Sequence, residues 1–255
     1  MAEKSGIGWT HSSFSPWLGC TRVSSACDRC YVASIDRRAG RDLWAPKAAR
    51  QRTSAGYWRQ PLRWQAQAAR TGQRRRVFAS HLSDIFDNQA PPSWRVEFWD
   101  LVRATPDLDW LALTKRPQLM PRMLPSWWGA GPANVWLGAT VENMTEARRR
   151  IPHLLTVPAA VHWLSVEPLL EPLDLRPWLA RLGWIIVGGE SGGGARVMQP
   201  AWARSIRDQC AETGTAFWMK QTGSNRTPWP GVSGKGEQLL DLPADLRIRD
   251  LPRLA

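Results

Sequence analysis

The sequence has no long apolar run, and cysteine, histidine and tyrosine are scarce. Its 255 residues include four cysteines, four histidines and two tyrosines. It contains no stretch of about 18 apolar residues, the length that a membrane-spanning helix needs. The start, MAEKSGIGWT, has neither the basic nor the apolar region of a secretory signal. We therefore expect a soluble, cytoplasmic protein without membrane contact.

Common catalytic signatures are also missing. The sequence contains no G-x-S-x-G, no Walker A motif and no H-E-x-x-H, so hydrolase, P-loop and zinc-protease chemistry lack support. With 43% hydrophobic residues, the composition is close to the globular average, which excludes disordered and collagen-like chains. We expect one domain over residues 1–223 that buries its own core, followed by a loop-rich tail over 224–255.

Acidic residues are few in the N-terminal third of the chain. Residues 1–76 carry 15 Lys and Arg against 4 Asp and Glu, whereas residues 77–255 carry 19 against 18. Within the arginine-rich segment 37–76, Trp44, Tyr57, Trp58 and Trp64 lie between the basic residues. Arginine with interleaved aromatics is typical of surfaces that bind phosphates and stack on bases. The sequence thus allows a nucleic-acid partner here, although a GC-rich genome or plain solubility would give the same composition.

Short apolar runs alternate with amphipathic stretches from residue 77 onward, which predicts βα units. We place strands at the six ranges Val77–Ser80, Trp110–Thr114, Val135–Thr140, His162–Val166, Trp184–Gly188 and Phe217–Lys220, with one earlier strand before Cys20. Ser93 and Asn143 are expected to cap helices. Pro200 is expected to begin another helix, and Gly214 to end it. The fold class is α/β, with about six or seven parallel strands in a partial (β/α) barrel or an open sheet.

Polar residues follow each predicted strand at its carboxyl end. Because the carboxyl ends of parallel strands meet at one rim, these residues predict a common site. Two glycines in the Gly188–Ser191 stretch allow backbone N–H groups to approach an anionic or amino-acid-like ligand. The full set is Ser83, Asp84, Thr114, Lys115, Arg116, Thr140, Glu142, Asn143, Ser165, Glu167, Gly188, Gly189, Glu190, Ser191, Lys220 and Gln221.

Three of the four cysteines lie within eleven residues, as Cys20, Cys27 and Cys30 in C-x6-C-x2-C. Such crowding is typical of metal ligands rather than of a disulfide framework. Zinc held with His11 or His81 as a fourth ligand is one interpretation. A [4Fe-4S] cluster with one open iron is the other, and the lack of a second C-x2-C or C-x2-H pair favours it. Cys210, on a predicted helix, is expected to be a buried structural thiol.

Seven motifs in series resemble the phage Gp37/Gp68 family of three-Cys-motif proteins, which is similar to the radical S-adenosylmethionine (SAM) superfamily. They are Trp17-Leu-Gly-Cys20 through Cys30-Tyr31 in the loop 17–31, Ser83-Asp84, Leu113 to Pro117, Trp136 to Asn143, Leu164 to Pro168, Val187 to Ser191, and Lys220-Gln221. Ser83-Asp84 stands after the second strand, where that superfamily has Gly-Gly-Glu.

The resemblance implies a radical-SAM-like partial barrel, a [4Fe-4S] cluster on Cys20, Cys27 and Cys30, and SAM at the open iron. A reducing electron donor would then allow reductive cleavage of SAM to a 5′-deoxyadenosyl radical, which acts on a nucleotide, a nucleic-acid base or a related metabolite. The residue that would shield the cluster or contact adenine is Tyr31.

The remaining motif residues are then expected to bind SAM or substrate. Lys115 or Arg116 would pair with a carboxylate or phosphate. Glu142 and Asn143 would bind ribose hydroxyls or an ammonium group, while Glu167, Glu190, Lys220 and Gln221 would line the site. Two other functions stay open. One is a non-catalytic nucleic-acid-binding protein with a structural Cys3His zinc site, and the other is an enzyme that kept the barrel and the cluster but uses the metal for redox sensing.

Overall fold

The computed structural model describes residues 5–225 and 227–253. The first four residues, Arg226 and the last two residues lie outside this range, and so do the outer limits of the predicted domain and tail. Within the described chain the strands are β1 Ser12–Phe14, β2 Trp17–Leu18, β3 Gln51–Arg52, β4 Arg75–Ala79, β5 Leu108–Thr114, β6 Val135–Thr140, β7 Val161–Val166, β8 Trp184–Gly188 and β9 Ala216–Gln221.

The α-helices are α1 Tyr31–Arg38, α2 Ala55–Trp58, α3 Gln60–Thr71, α4 Pro92–Arg103, α5 Met120–Met123, α6 Met144–Leu154, α7 Arg176–Leu179 and α8 Pro200–Thr213. Short 3-10 turns cover Ser25–Cys27, Pro117–Leu119, Leu239–Asp241 and Ala244–Leu246.

Seven strands form one sheet in the order β1-β4-β5-β6-β7-β8-β9, and β2 pairs with β3 in a separate antiparallel ribbon. The fold class is a half-barrel of parallel strands with helices, as predicted. The strands expected at Val135–Thr140 and Trp184–Gly188 have those limits in the structure. The other four strands begin one or two residues earlier than predicted. The strand predicted to end at Ser80 ends at Ala79, because Ser80 has a φ of 62° that a strand does not adopt, and the strand predicted to end at Lys220 ends at Gln221.

The helix ends test the capping signals. The Asn143 side chain accepts a hydrogen bond from the Glu146 N–H at 2.8 Å, which confirms it as the N-cap of α6. Pro200 begins α8, and Gly214 ends it in the left-handed conformation with φ of 72°. The expected cap at Ser93 is wrong, because α4 begins at Pro92 and leaves Ser93 inside its first turn.

The chain divides into two compact units, which are described separately. The first contains the described chain up to Val23, then Val32–Leu137 and Val157–Ala160. In it, β1 pairs with β4 and β4 with β5, both in parallel. Its core is aromatic: the Trp110 ring lies edge-on to Phe14 and to Phe98, with ring centroids 5.9 and 5.4 Å away.

The second unit contains Ser24–Tyr31, Gly138–Thr156 and the described chain from Val161 onward. Here β7 pairs with β8 and β8 with β9, again in parallel. The fully buried Trp163 and Trp184 pack against each other across neighbouring strands, with ring centroids 5.9 Å apart. Cys210 is buried on the inner face of α8, in agreement with a structural role.

The tail beyond residue 223 lies against the last strand. Backbone hydrogen bonds join Met219 N–H to the Ile248 carbonyl and Asp250 N–H to the Phe217 carbonyl, both at 2.9 Å. Over residues 224–225 and 227–253, the helical structure of the tail consists of the two 3-10 turns Leu239–Asp241 and Ala244–Leu246. Of the helices that the structure describes, none combines the length and the apolar character needed to cross a bilayer.

The packing of β6 against β7 requires glycine at position 138. A Cβ atom on Gly138 would lie 2.4 Å from Cε2 of the buried Trp163 ring. We therefore expect Gly138→Ala to lower the free energy of unfolding by about 1–3 kcal/mol. Chemical denaturation measures this change. The control is Gly193→Ala, whose added Cβ would meet nothing within 4 Å, and equal losses in the two variants would contradict the packing argument.

Candidate functional site

The cysteine segment, Gly19–Cys30, connects β2 to α1. All four cysteines of the chain are thiols, and Cys20, Cys27 and Cys30 are half-buried. The Cys27 N–H donates to the Ser24 carbonyl at 2.9 Å, and the Cys30 N–H donates to the Cys27 carbonyl at 3.3 Å. Cys27 and Cys30 therefore lie on two successive turns that lead directly into α1.

In the first unit, Arg116 contacts the part of this segment around Cys20. Its Nη1 lies 3.5 Å from Cys20 Sγ, and its Nη2 donates to the Thr21 carbonyl at 2.7 Å. Burial raises the pKa of the Cys20 thiol to about 11, although Arg116 acts in the opposite direction. Burial would lower the pKa of Arg116, but Asp84 and Cys20 outweigh it and raise this pKa overall. Arg116 therefore stays charged beside the sulfur.

Asp84 fixes Arg116 in this position. Its carboxylate accepts hydrogen bonds from Arg116 Nη1 at 2.9 Å and from Thr114 Oγ1 at 2.7 Å. It also accepts the backbone N–H groups of Phe86 and Lys115. The structure thus brings together the predicted site residues Asp84 and Arg116 with Cys20. The Asp84 carboxylate is buried and orients the Arg116 guanidinium, so it does not face open solvent.

A second buried pair, which no sequence motif indicates, supports the same part of the segment. Arg50 Nε donates to Asp87 at 2.6 Å, and both side chains are fully buried. Arg50 also donates to the hydroxyl of Thr21. Asp84 and Asp87 follow the same strand, and this spacing marks Asp87 as a candidate site residue. Its partner Arg50 carries no such signal, because it lies 37 residues away along the chain.

In the second unit, Glu142 binds the part of the segment that precedes Cys27. Its carboxylate accepts the Ala26 N–H at 3.1 Å and the Ser25 hydroxyl at 3.4 Å. Arg150 Nη1 donates to the same carboxylate at 2.9 Å, and neither charged side chain is exposed. The side-chain amide of Asn143 donates to Ser25 Oγ at 3.4 Å. Both Glu142 and Asn143 therefore contact the cysteine segment.

Glu190 acts on the same segment through Arg196, a residue that no sequence motif singled out. Glu190 accepts two guanidinium nitrogens and the backbone N–H of Arg196. Arg196 Nη2 in turn donates to the Ser25 carbonyl at 2.9 Å. Burial would raise the pKa of Glu190, but the hydrogen bonds and charge of Arg196 lower it overall. Arg29 lies at 4.0 Å from the same carboxylate.

A third polar group lies at the carboxyl ends of β7 and β9. Glu167 accepts Lys220 Nζ at 2.6 Å and Gln221 Nε2 at 2.8 Å. Gln221 Nε2 is also 2.7 Å from the Ser191 hydroxyl. Tyr31, at the start of α1, is 47% exposed. The ion pair of Glu167 and Lys220 is partly open to solvent, so both groups are accessible to a ligand.

The glycines of the Gly188–Ser191 stretch have a packing role. A Cβ on Gly189 would lie 2.1 Å from the Thr222 carbonyl oxygen, and one on Gly188 would lie 3.2 Å from the Glu167 carboxyl carbon. The Gly189 N–H donates to the Gln221 carbonyl at 3.1 Å. This N–H is therefore engaged within the protein, in contrast to the ligand-binding role expected from the sequence.

The remaining predicted residues contribute less. The side-chain hydroxyl of Ser83 is buried without a hydrogen-bond partner in the described chain, and Lys115 contributes a backbone contact to Asp84. The ring nitrogens of the two histidines considered as ligands have protein neighbours: His11 Nδ1 accepts the Arg76 N–H, and His81 Nδ1 bonds Ser15 Oγ. Within residues 5–225 and 227–253, no three His, Cys, Asp or Glu side chains are assembled as metal ligands.

The pair of Asp84 and Arg116 is buried, so its loss is expected to be costly. Asp84→Asn removes the charge that compensates Arg116, and we expect a loss of about 3–5 kcal/mol in the free energy of unfolding. Glu97→Gln is the control, because it breaks the exposed pair with Arg52 and should cost at most about 1 kcal/mol. Denaturant titration compares the two, and an equal effect would contradict the assignment.

Comparison with solved structures identifies the same fold in other proteins. A cysteine-to-serine mutant of spore photoproduct lyase matches with a TM-score of 0.52 and 12% identity, over 82% of this chain and 63% of that chain. A structure of the lyase with bound AdoMet and dinucleoside spore photoproduct matches with a TM-score of 0.48 and 11% identity, over 80% and 62%. This chain thus spans less than two thirds of these proteins. The fold is the radical-SAM-like partial barrel that the sequence predicts.

Comparison with curated proteins gives no match. A family model described as "Protein of unknown function (DUF5131)" matches residues 4–240. This match does not confirm the name Gp37/Gp68, so that resemblance stays a prediction. Because the matched range covers most of the chain, the protein belongs to the DUF5131 family.

Proposed function

We propose that this protein is a radical-SAM-type iron-sulfur enzyme. Cys20, Cys27 and Cys30 hold a [4Fe-4S] cluster, and SAM binds at the iron that has no cysteine ligand. The observation that carries the proposal is a three-thiol segment in a parallel half-barrel, held by buried charged residues of the strand ends. When bound and reduced by a partner protein, such a cluster supplies the electron for reductive cleavage of SAM.

The chemistry of the donor set fits this group. Three thiolates are the usual protein ligands of a cluster with one open iron. The thiols lie within eleven residues of one another along the chain, and each is half-buried, as partial protection from solvent requires. Burial raises the pKa of Cys20 to about 11, so that ligation there has to displace a proton.

Arg116 and the pair of Glu167 and Lys220 have separate tasks under this proposal. Arg116 donates toward Cys20 Sγ, and hydrogen bonds to ligand sulfurs tune the potential of a cluster. Lys220 Nζ is partly exposed and bonded to Glu167. It binds the carboxylate of SAM or a phosphate of the substrate, while Glu167 accepts a hydroxyl or ammonium donor. Tyr31, Ser83, Lys115 and Asn143 are proposed as further cofactor contacts.

The substrate we propose is a nucleotide or a nucleic-acid base, reached through the basic segment 37–76. Several of its arginines are engaged within the protein: Arg41 pairs with Asp36, Arg50 with Asp87 and Arg74 with Asp109. The basic residues of this segment that remain exposed around α3 are Arg59, Arg63 and Arg70. Arg59 lies directly before α3, Arg63 follows one turn later and Arg70 two turns after that. The three side chains therefore share one side of the helix, where they can contact successive phosphates.

Cluster binding is tested by iron and sulfide analysis after anaerobic reconstitution. We expect about four irons per wild-type chain and formation of 5′-deoxyadenosine from SAM after reduction. Cys20→Ala should lose both properties, since two thiolates remain. The matched control is Cys210→Ala, because burial raises the pKa of that thiol to about 12 and keeps it protonated in α8. Stoichiometric zinc in place of iron, or equal loss in both variants, would contradict the proposal.

Nucleic-acid contact is tested by the salt dependence of binding to a single-stranded oligonucleotide. Replacing Arg59, Arg63 and Arg70 together by Gln should reduce the slope of log affinity against log salt by about two.

The control for this measurement replaces three exposed arginines elsewhere, Arg122, Arg148 and Arg253, by Gln. It lowers the net charge equally but should leave the slope close to that of the wild type. Equal slopes for the two triple variants, or no binding by the wild type at low salt, would exclude α3 as the contact surface.

A further inference from the structure

The peptide group between Ser25 and Ala26 is bound on both of its polar atoms by charged side chains. Arg196 Nη2 donates to the Ser25 carbonyl at 2.9 Å, and Glu142 accepts the Ala26 N–H at 3.1 Å. The 3-10 turn Ser25–Cys27 contains this peptide group. A charged partner makes each hydrogen bond stronger than a neutral partner would. The turn that carries Cys27 is therefore fixed in orientation as well as in place.

Both charged side chains are themselves held by an ion of opposite sign. Glu142 is paired with Arg150, whose Nη2 also lies 2.9 Å from Glu146. Arg196 is paired with Glu190, and only the arginine of that pair has appreciable exposure. Because the two anchors are fixed by partners outside the cysteine segment, they can hold the turn without help from a bound metal.

Holding the turn has a direct consequence for ligand binding. A loop that must be ordered when a ligand binds loses conformational freedom at that moment, which weakens binding. The Cys30 N–H is bonded to the Cys27 carbonyl, so orientation of the turn also limits the position of the second thiol. A fixed turn removes this ordering cost for Cys27 and Cys30 together.

We propose that Glu142 and Arg196 are positioning residues that fix Cys27 and Cys30 before the cluster assembles. This inference rests on the proposed function for the identity of the metal group. It assigns the carboxylates of the Val141-Glu142-Asn143 and Gly189-Glu190 motifs to the cysteine segment, rather than to SAM. Glu190 then acts indirectly, because it holds the Arg196 guanidinium that binds Ser25.

The first test measures hydrogen exchange in the reduced, metal-free protein. Glu142→Gln places an amide NH₂ group or a weaker neutral acceptor opposite Ala26, so exchange of the Ala26 amide should be about tenfold faster or more. Glu146→Gln is the matched control, because the Glu146 side chain also pairs with Arg150 but accepts its other hydrogen bonds from Arg149, within α6. Equal exchange at Ala26 in the two variants would overturn the proposal.

Arg196→Gln serves as a second variant if Glu142→Gln does not fold. The Arg196 side chain is 26% exposed, so its loss disturbs the core less than the loss of Glu142. Arg196→Lys should restore only part of the protection of the Ala26 amide, because lysine cannot bind Glu190 and Ser25 in the same fork geometry. Arg176→Gln, which breaks an exposed pair with Glu212, is its control. Protection in Arg196→Gln that equals that of the control would overturn the role of Arg196.

Iron uptake then connects the turn to the cluster. At limiting iron and sulfide, Glu142→Gln should assemble clusters about tenfold more slowly than Glu146→Gln, if the ordering cost has returned. Equal uptake together with faster Ala26 exchange would overturn the positioning role while leaving the proposed function intact. A wild-type protein that takes up no iron would instead overturn the proposed function, and the exchange result would still decide whether the turn is anchored.

Discussion

The buried ion pair of Glu142 and Arg150 is the interaction on which the cysteine turn depends most directly. A carboxylate without solvent contact needs a cation and hydrogen-bond donors to stay charged. Arg150 supplies the cation, and the Ala26 N–H and Ser25 hydroxyl supply further donors. The Glu142 carboxylate that Arg150 compensates is also the group that holds the turn. One ion pair therefore connects the core of the second unit to the turn that carries Cys27.

A buried ion pair also holds the cysteine segment in the first unit, but there the cation contacts the segment and the carboxylate supports it. There a carboxylate, Asp84, holds a cation, Arg116, and the cation contacts Cys20 and Thr21. The carboxylates of Asp84, Glu142 and Glu190 therefore each hold another group of the protein in place. This explains how acidic residues can follow several strands in a protein proposed to bind anionic ligands. Arginine compensates the charges of Asp84, Glu142 and Glu190, and lysine compensates that of Glu167.

The sequence predicted the strand limits best where a strand is an unbroken run of apolar or small residues. Val135–Thr140 and Trp184–Gly188 are runs of this kind, and the second ends in the Gly188-Gly189 pair. Local signals also predicted the cap at Asn143, since its partner is only three residues away. The cap at Ser93 failed because Pro92, at the preceding position, is better suited to the first turn of a helix.

The partners of the site residues could not be predicted in the same way. Arg196 reaches Ser25 across 171 positions of the chain, and Arg116 reaches Cys20 across 96. No local spacing reports contacts of this kind, and arginine is so frequent in this sequence that no single one is conspicuous. For Gly189 the sequence indicated the need for a glycine, but the carbonyl of Thr222 that requires it lies 33 residues away.

The proposed function requires that three thiolates leave one iron of a cluster open for SAM. Mössbauer spectroscopy of protein reconstituted with isotopically labelled iron measures this directly, since it resolves the individual iron sites. We expect the addition of SAM to change the parameters of about one quarter of the iron. A spectrum that SAM leaves unchanged, or a protein that holds zinc and excludes iron, would contradict the proposed function.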